Sequence, residues 1–224
     1  MPTIDSLDRF LEGQFQAWSR QDVEHQNNRT GPVIAISREP GCGGKRIAQT
    51  IADALGLTLF DSNIIEQIAT NAHVSEQVVA TLDENVRTEL DDWLSSLASG
   101  PGFSSEQYMQ CLRSVLFTIA THGNAVILGR GANFLLPPEK KTLGLCLVAP
   151  LDVRVKNIAH ELQLTPEDAR KYIARKERER RVLVKQMSHA DIADAANYHL
   201  VINTAMVAPE TIVQIVKEIV RASR

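Results

Sequence analysis

The sequence predicts an α/β fold, a three-layer sandwich in which helices cover both faces of a five-stranded parallel sheet. Three observations lead there. Five short, nearly unbroken apolar runs, at 33–36, 57–60, 125–128, 143–148 and 200–203, alternate with stretches of helical periodicity, the pattern of parallel strands buried on both sides and joined by crossover helices. A glycine-rich turn, Gly41-Cys42-Gly43-Gly44, lies between the first run and the helix after it. The composition, 44% apolar and 23% charged over 224 residues, is that of a chain able to bury one sizeable core.

Residues 5–20 place Leu7, Phe10, Leu11, Phe15 and Trp18 at helical spacing, so an amphipathic helix and a polar linker through residue 30 precede a domain spanning 31–224. Val33-Ile34-Ala35-Ile36 is the first strand. Behind the glycine turn, Ile47, Ala48, Ile51, Ala52 and Leu55 repeat at helical intervals, and Gly56 stops the helix. Leu57 to Phe60 forms the second strand and ends at Asp61-Ser62, where the aspartate either caps the next helix or faces a ligand. Helical patterns continue to about residue 99, with Ser75 and Asp83 as caps, until Gly100-Pro101-Gly102 breaks them; a further helix runs from Ser104 to near Gly123. Ala125 to Leu128 is the third strand, closed by Gly129-Arg130-Gly131. Leu143 to Val148 is the fourth, followed by Pro150 and a helix carrying Val153, Val155, Ile158 and Leu162. Thr165-Pro166-Glu167-Asp168 has the cap, the N1 proline and the acidic first turn of a new helix. Leu200 to Asn203 and a helix over Thr211 to Val220 complete the chain.

A formal net charge of −3 and a pI near 6.1 exert no overall pull toward nucleic acid or an anionic membrane, so an anion site has to be local. Trp18, Trp93 and the phenylalanines are too sparse for a base-stacking surface. Cys42, Cys111 and Cys146 are odd in number and lack metal-ligand spacing, which argues against a disulfide framework or a zinc site and for a reducing, cytoplasmic location. The beginning of the chain lacks the basic and apolar regions of a leader, no run is long enough to cross a bilayer, and no internal repeat is visible. His73, His122, His160, His189 and His199 fit no metal or triad signature and are read as structural.

The segment Ser37-Arg38-Glu39-Pro40-Gly41-Cys42-Gly43-Gly44-Lys45-Arg46 leads from the first strand into its helix. Glycines let successive backbone N–H groups curl around an anion, and the helix adds the positive end of its dipole. Gly41, Cys42, Gly43, Gly44, Lys45 and Arg46 are therefore the candidate ligands of a nucleotide's phosphates. Cys42 reads two ways: as a small residue the turn tolerates, or as a thiol drawn toward thiolate by helix-start amides and nearby cations.

This turn, with Phe60-Asp61 after the second strand, Ile127-Leu128-Gly129-Arg130-Gly131, and Tyr198-His199-Leu200-Val201-Ile202-Asn203-Thr204, resembles the cytidylate kinase-like family of P-loop proteins. The resemblance implies a P-loop NTPase-type sandwich with a helical insertion and a helical lid. It further implies ATP and magnesium as cofactors, and transfer of the γ-phosphoryl group to CMP or dCMP. On the same ground Asp61 would contact the nucleoside monophosphate and Arg130 would hold its phosphate through a bidentate contact. The charge cluster Lys171 to Arg181 would be the lid, with Arg178 and Arg181 foremost and Lys45 beside them as catalytic, charge-neutralising residues. Without the resemblance, the cluster reads as a solvated helix laced with Glu–Arg pairs and Arg130 as a surface arginine.

The turn departs from the standard phosphate-loop pattern, which wants Gly where Glu39 stands and Ser or Thr where Arg46 stands if Lys45 is its lysine. Aligned without gaps from the first strand, Gly44 falls at the lysine position instead. Either way the usual hydroxyl ligand of magnesium is missing, and no metal-ligating residue is assigned. Three functions remain in play: a nucleotide kinase, a non-catalytic nucleotide-sensing module favoured by Glu39 and Arg46, and a small-molecule kinase with a non-nucleotide acceptor. The expected partners are nucleotides, with no nucleic acid and no membrane, and the N-terminal and 104–122 helices are the candidate surfaces for a homo-oligomer.

Overall fold

A computed structural model describes residues 9–18, 31–70, 78–82, 87–88, 105–140 and 143–223. In chain order its elements are α1 (9–18), β1 (Val33–Arg38), α2 (Gly44–Leu55), β2 (Thr58–Phe60), α3 (Ser62–Thr70), α4 (Ser105–His122), β3 (Ala125–Leu128), α5 (Ala132–Leu135), β4 (Leu143–Val148), α6 (Leu151–Leu162), α7 (Pro166–Ser188), β5 (Leu200–Asn203) and α8 (Pro209–Ala222). The caps expected at Ser75 and Asp83 and the break at Gly100-Pro101-Gly102 lie outside the described residues. The chain divides into two compact units, one of Pro32–Ser62 with Asn124–Arg224 and one of Met1–Gly31 with Asn63–Gly123.

The first unit holds the sheet. Its five strands are all parallel, in the order β2-β3-β1-β4-β5. The unbroken apolar run of β1 has a simple cause: it is the central strand, with Ile36 opposite Leu128 on one side and Leu145 on the other. Ile34, Ile36, Val126 and Leu145 are at most 1% exposed and pack with Ile47 and Ile51 of α2 and Ile212 and Val216 of α8. Each such side chain contributes about 1.5–3 kcal/mol through burial, which fixes α2, and with it the glycine turn, against the sheet.

Helix boundaries follow local chemistry. Gly56 ends α2 in the left-handed conformation, its N–H donating to Ala52 O and Asp53 O. Thr165 caps α7, its Oγ1 accepting from Asp168 N at 3.2 Å, with Pro166 at N1. The last helix begins two residues earlier than its apolar pattern because Pro209 occupies N1. Since the strands all run one way, their carboxyl ends gather at one edge, and the segments after β1, β2, β3 and β4 meet there.

In the other unit the Trp18 and His122 rings stack at 4.3 Å and 6°, and His122 Nε2 lies 2.7 Å from Thr81 Oγ1. Tyr108 donates to Glu66 Oε2 at 2.6 Å. Among the described residues no helix is long and apolar enough to cross a membrane.

Candidate functional site

β1 ends at Arg38 on the carboxyl edge of the sheet, where open α/β folds place their ligands. Residues 39–43 then turn into α2, with φ at +82° for Gly41 and +77° for Gly43, values that L side chains rarely adopt. Gly43 is the N-cap of α2 and, having no side chain, provides no cap hydrogen bond to the first turn of the helix. The turn is braced from three directions. Asn157 Nδ2 donates to Gly41 O at 2.7 Å, Thr204 Oγ1 donates to Cys42 O at 2.8 Å, and Glu39 N donates to Leu147 O at 2.9 Å.

Glu39, the residue standing where the common pattern has glycine, is part of that bracing. Its Oε2 accepts from Ala149 N at 2.9 Å and pairs with Arg154 Nε at 3.2 Å. Arg154, 7% exposed, also donates from Nε to Ala149 O at 2.9 Å and from Nη1 to Glu177 Oε1 at 2.6 Å. One guanidinium thus joins the turn, α6 and α7.

Three further arginines converge over the turn. Arg38 Nη2 donates to Ser62 Oγ at 3.1 Å, Arg130 Nε donates to Ser62 O at 3.1 Å, and Arg180 Nη1 donates to Arg38 O at 2.5 Å. Arg130 sits at φ +50° between Gly129 and Gly131, both also at positive φ, a sharp bend that turns its side chain toward the end of β2. Beside them, Lys45 Nζ pairs with Asp61 Oδ2 at 3.0 Å; the lysine is 73% exposed and the aspartate 13%. Burial, then the neighbouring Arg180 and Arg130, push the Arg38 pKa down to about 9, and burial lowers that of Arg180. Such a concentration of like charge, partly withdrawn from water, favours an anion.

Of the residues singled out from sequence, Gly41 to Gly44, Lys45, Asp61 and Arg130 lie together at this edge. Arg46 is exposed on the first turn of α2. Arg178 and Arg181 are exposed on α7, and the outward side of that helix is laced with pairs such as Lys171–Glu167 at 2.7 Å and Lys176–Glu179 at 2.7 Å. The α7 side chain that reaches the turn is Arg180, about 200° around the helix from Arg178 at 100° per residue. Arg38, Arg154, Glu177 and Arg180 were not singled out from the sequence. The thiolate reading of Cys42 is corrected: burial pushes its thiol up, outweighing the Gly44 amide and the adjacent arginines, so Cys42 is a protonated small residue tethered by Thr204.

A profile of the cytidylate kinase-like family matches residues 33–206. The chain belongs to that family. It is 26% identical over 185 residues to the cytidylate kinase of Ignicoccus hospitalis, covering 83% of this chain and 96% of that one. It is 34% identical over 186 residues to the cytidylate kinase of Pyrococcus horikoshii, covering 83% and 86%. A crystal structure of an uncharacterized protein from Eubacterium ventriosum superimposes with a TM-score of 0.68 at 17% identity, covering 85% of this chain and 98% of that one, a likeness of fold. The fold is the α/β P-loop sandwich, with the family's glycine turn at the head of α2.

Kinases of this family imply the use of ATP and magnesium. The side chains around the turn do not fit a protein-held magnesium site. Glu39 is engaged by Arg154 and Ala149 N, Asp61 by Lys45, and Gly44 and Arg46 stand where a lysine and a hydroxyl would be expected. Among the described residues no group of three or more His, Cys, Asp and Glu side chains could hold a metal.

Proposed function

We propose that the protein is a phosphotransferase that moves the γ-phosphoryl group of ATP to a nucleoside monophosphate, with CMP or dCMP as the preferred acceptor. One observation carries this reading: at a single edge of the sheet, a glycine turn at a helix start lies beside Arg130 and the Lys45–Asp61 pair. The first feature suits a polyphosphate tail, the second a monophosphate, the third a sugar hydroxyl. The names of the curated relatives, both cytidylate kinases, support the acceptor class.

In this reading the N–H groups of residues 41–44 wrap the phosphates of ATP. Arg130 grips the acceptor phosphate by two parallel N–H donors, and Asp61 accepts from an acceptor hydroxyl. Lys45, exposed and long, exchanges its contact with Asp61 for the phosphate oxygens. Arg180, from the inner face of α7, spreads over the developing charge; Arg178 and Arg181, exposed on other sides of that helix, would join it only by a rotation of α7 about its axis. The protein contributes position and charge; the bond from phosphorus to the bridging oxygen of ATP breaks as that from the acceptor oxygen forms. Incubation with Mg-ATP and a panel of monophosphates is expected to yield ADP fastest with CMP or dCMP. ATP consumption with none of them would discard this acceptor class.

A second reading, a nucleotide-sensing module without turnover, is favoured by one feature: Glu39, Gly44 and Arg46 replace groups that elsewhere act on the phosphates or their metal. Tight ATP binding with no ADP formed on any acceptor would select it.

A further inference from the structure

The phosphate-loop lysine normally rises from the first residue of the helix behind the turn and bends back over the bound phosphates. Here that residue is Gly44, and its neighbourhood explains why it is glycine. A Cβ built on Gly44 would lie 2.8 Å from Arg38 Cβ and 2.9 Å from Arg38 Cγ. The stem of Arg38 therefore occupies the space in which a lysine at 44 would begin. The other end of the same side chain accounts for a second glycine: a Cβ on Gly129 would run into Arg38 Nη1 and come within 2.9 Å of Cζ. The guanidinium thus crosses from the end of β1 to the end of β3, over the mouth of the turn, and donates to Ser62 Oγ.

We propose that Arg38, the last residue of β1, supplies the phosphate-binding cation that the missing lysine supplies in other phosphate loops, and that Gly44 and Gly129 are the spaces its stem and its guanidinium require. Its position between the turn and Arg130 places it against the phosphoryl group in flight. Among the described residues no carboxylate lies within ion-pair distance of Arg38, while Arg180 and Arg130 stand next to it. A half-buried guanidinium with two other arginines beside it, and the Asp61 carboxylate drawing the other way, gains when an anion arrives; burial, then Arg180, is what lowers its pKa. Arg38 exchanges no proton in the reaction. The electron pair of the breaking P–O bond leaves on ADP, a new P–O bond forms from the acceptor oxygen, and the guanidinium holds the charge of the moving group with a planar pair of donors.

This assignment rests on the phosphotransferase reading, and the experiment separates the two. The variants are Arg38→Met, which keeps a stem over Gly44 and removes the charge; Arg38→Gly; and the exchange Arg38→Gly with Gly44→Lys. Each is checked for folding by circular dichroism, for ATP affinity by calorimetry and for kcat and KM with the best acceptor. The expected result for Arg38→Met is a loss of about 100-fold or more in kcat, with the ATP dissociation constant raised. The exchange variant is expected to recover at least about tenfold over Arg38→Gly, because the lysine then grows into the vacated space. Should Arg38→Met not fold, Arg38→Lys reads the same point: charge kept, fork lost, kcat reduced about tenfold or more. Wild-type turnover with kcat unchanged in Arg38→Met or Arg38→Lys overturns the role of Arg38 alone. A folded exchange variant no better than Arg38→Gly overturns the equivalence of the two cations. Wild-type protein that binds no ATP overturns the phosphotransferase reading and this assignment with it.

Discussion

Replacing Arg154 by methionine keeps the apolar stem of a 9% exposed side chain and deletes the guanidinium that joins Glu39, Glu177 and Ala149 O. Two carboxylates are then left facing one another with no cation between them. Removing one partner of a fully buried ion pair costs about 3–5 kcal/mol. Glu39 and Glu177 remain 33% and 34% exposed, so water takes up part of the unpaired charge, and the expected loss is about 2 kcal/mol. In a chain of this size that corresponds to a fall in melting temperature of about 4–8 °C. Glu39→Gln, which still accepts from Ala149 N, is expected to lose about 1 kcal/mol, and less than that when Arg154 is already methionine. Urea titrations of the wild type, both single variants and the double variant measure the coupling. Arg154→Met within about 0.5 kcal/mol of wild type, or strict additivity of the two changes, would refute the clasp.

Gly41→Ala is expected to cost about 1–3 kcal/mol and to weaken ATP binding, because its φ of +82° is joined by a Cβ contact of 2.6 Å with Arg154 O; Gly43→Ala, at +77° with nothing within 4 Å, is expected to cost only about 1 kcal/mol. Equal losses in denaturation curves would remove the steric part of that argument. Arg130→Ala should raise the acceptor KM about 10–100-fold, the worth of a charged hydrogen bond, while circular dichroism stays native; unchanged kinetics would take Arg130 out of the site. Burial, with Glu39 adding to it, pushes the Cys146 thiol to about 11, and burial raises that of Cys42. A raised acid pKa moves the thiolate to higher pH, so iodoacetamide should label both slowly at pH 8 and Cys146 faster only as the pH approaches 11. Rapid labelling of either at pH 7, read by peptide mass mapping, would contradict the burial described.

β1, β3 and β4 were legible because each is a nearly unbroken apolar run that a central or near-central place in a parallel sheet requires, whereas β2 and β5, at the edges, are partly exposed. The strand order was not legible, since β1 pairs with β3 and β4, contacts between segments about 90 and 110 residues away that no local pattern encodes. The glycine turn, Asp61 and Arg130 were legible for a related reason: each ends a strand, and strand ends in such sheets converge. The bracing arginines were not legible, because a charged side chain in a polar stretch carries the pattern of a solvated face. Yet a signal existed on α7. Ile173, Glu177, Arg180, Val184 and Met187 follow one another at spacings of three and four, and Ile173, Val184 and Met187 are buried. The apolar stripe of the helix thus carries Glu177 and Arg180 inward with it, toward Arg154 and Arg38. Arg38 was hidden differently, since only the space around Gly44 and Gly129 shows which residue has taken the lysine's place.

The most direct test of the central claim is a crystal structure of the protein with a non-hydrolysable ATP analogue and magnesium at millimolar concentration. The phosphates are expected within the turn, with backbone N–H groups of Gly43 and Gly44 directed at them. An analogue bound elsewhere with the turn unchanged, or no analogue bound at all, would contradict it.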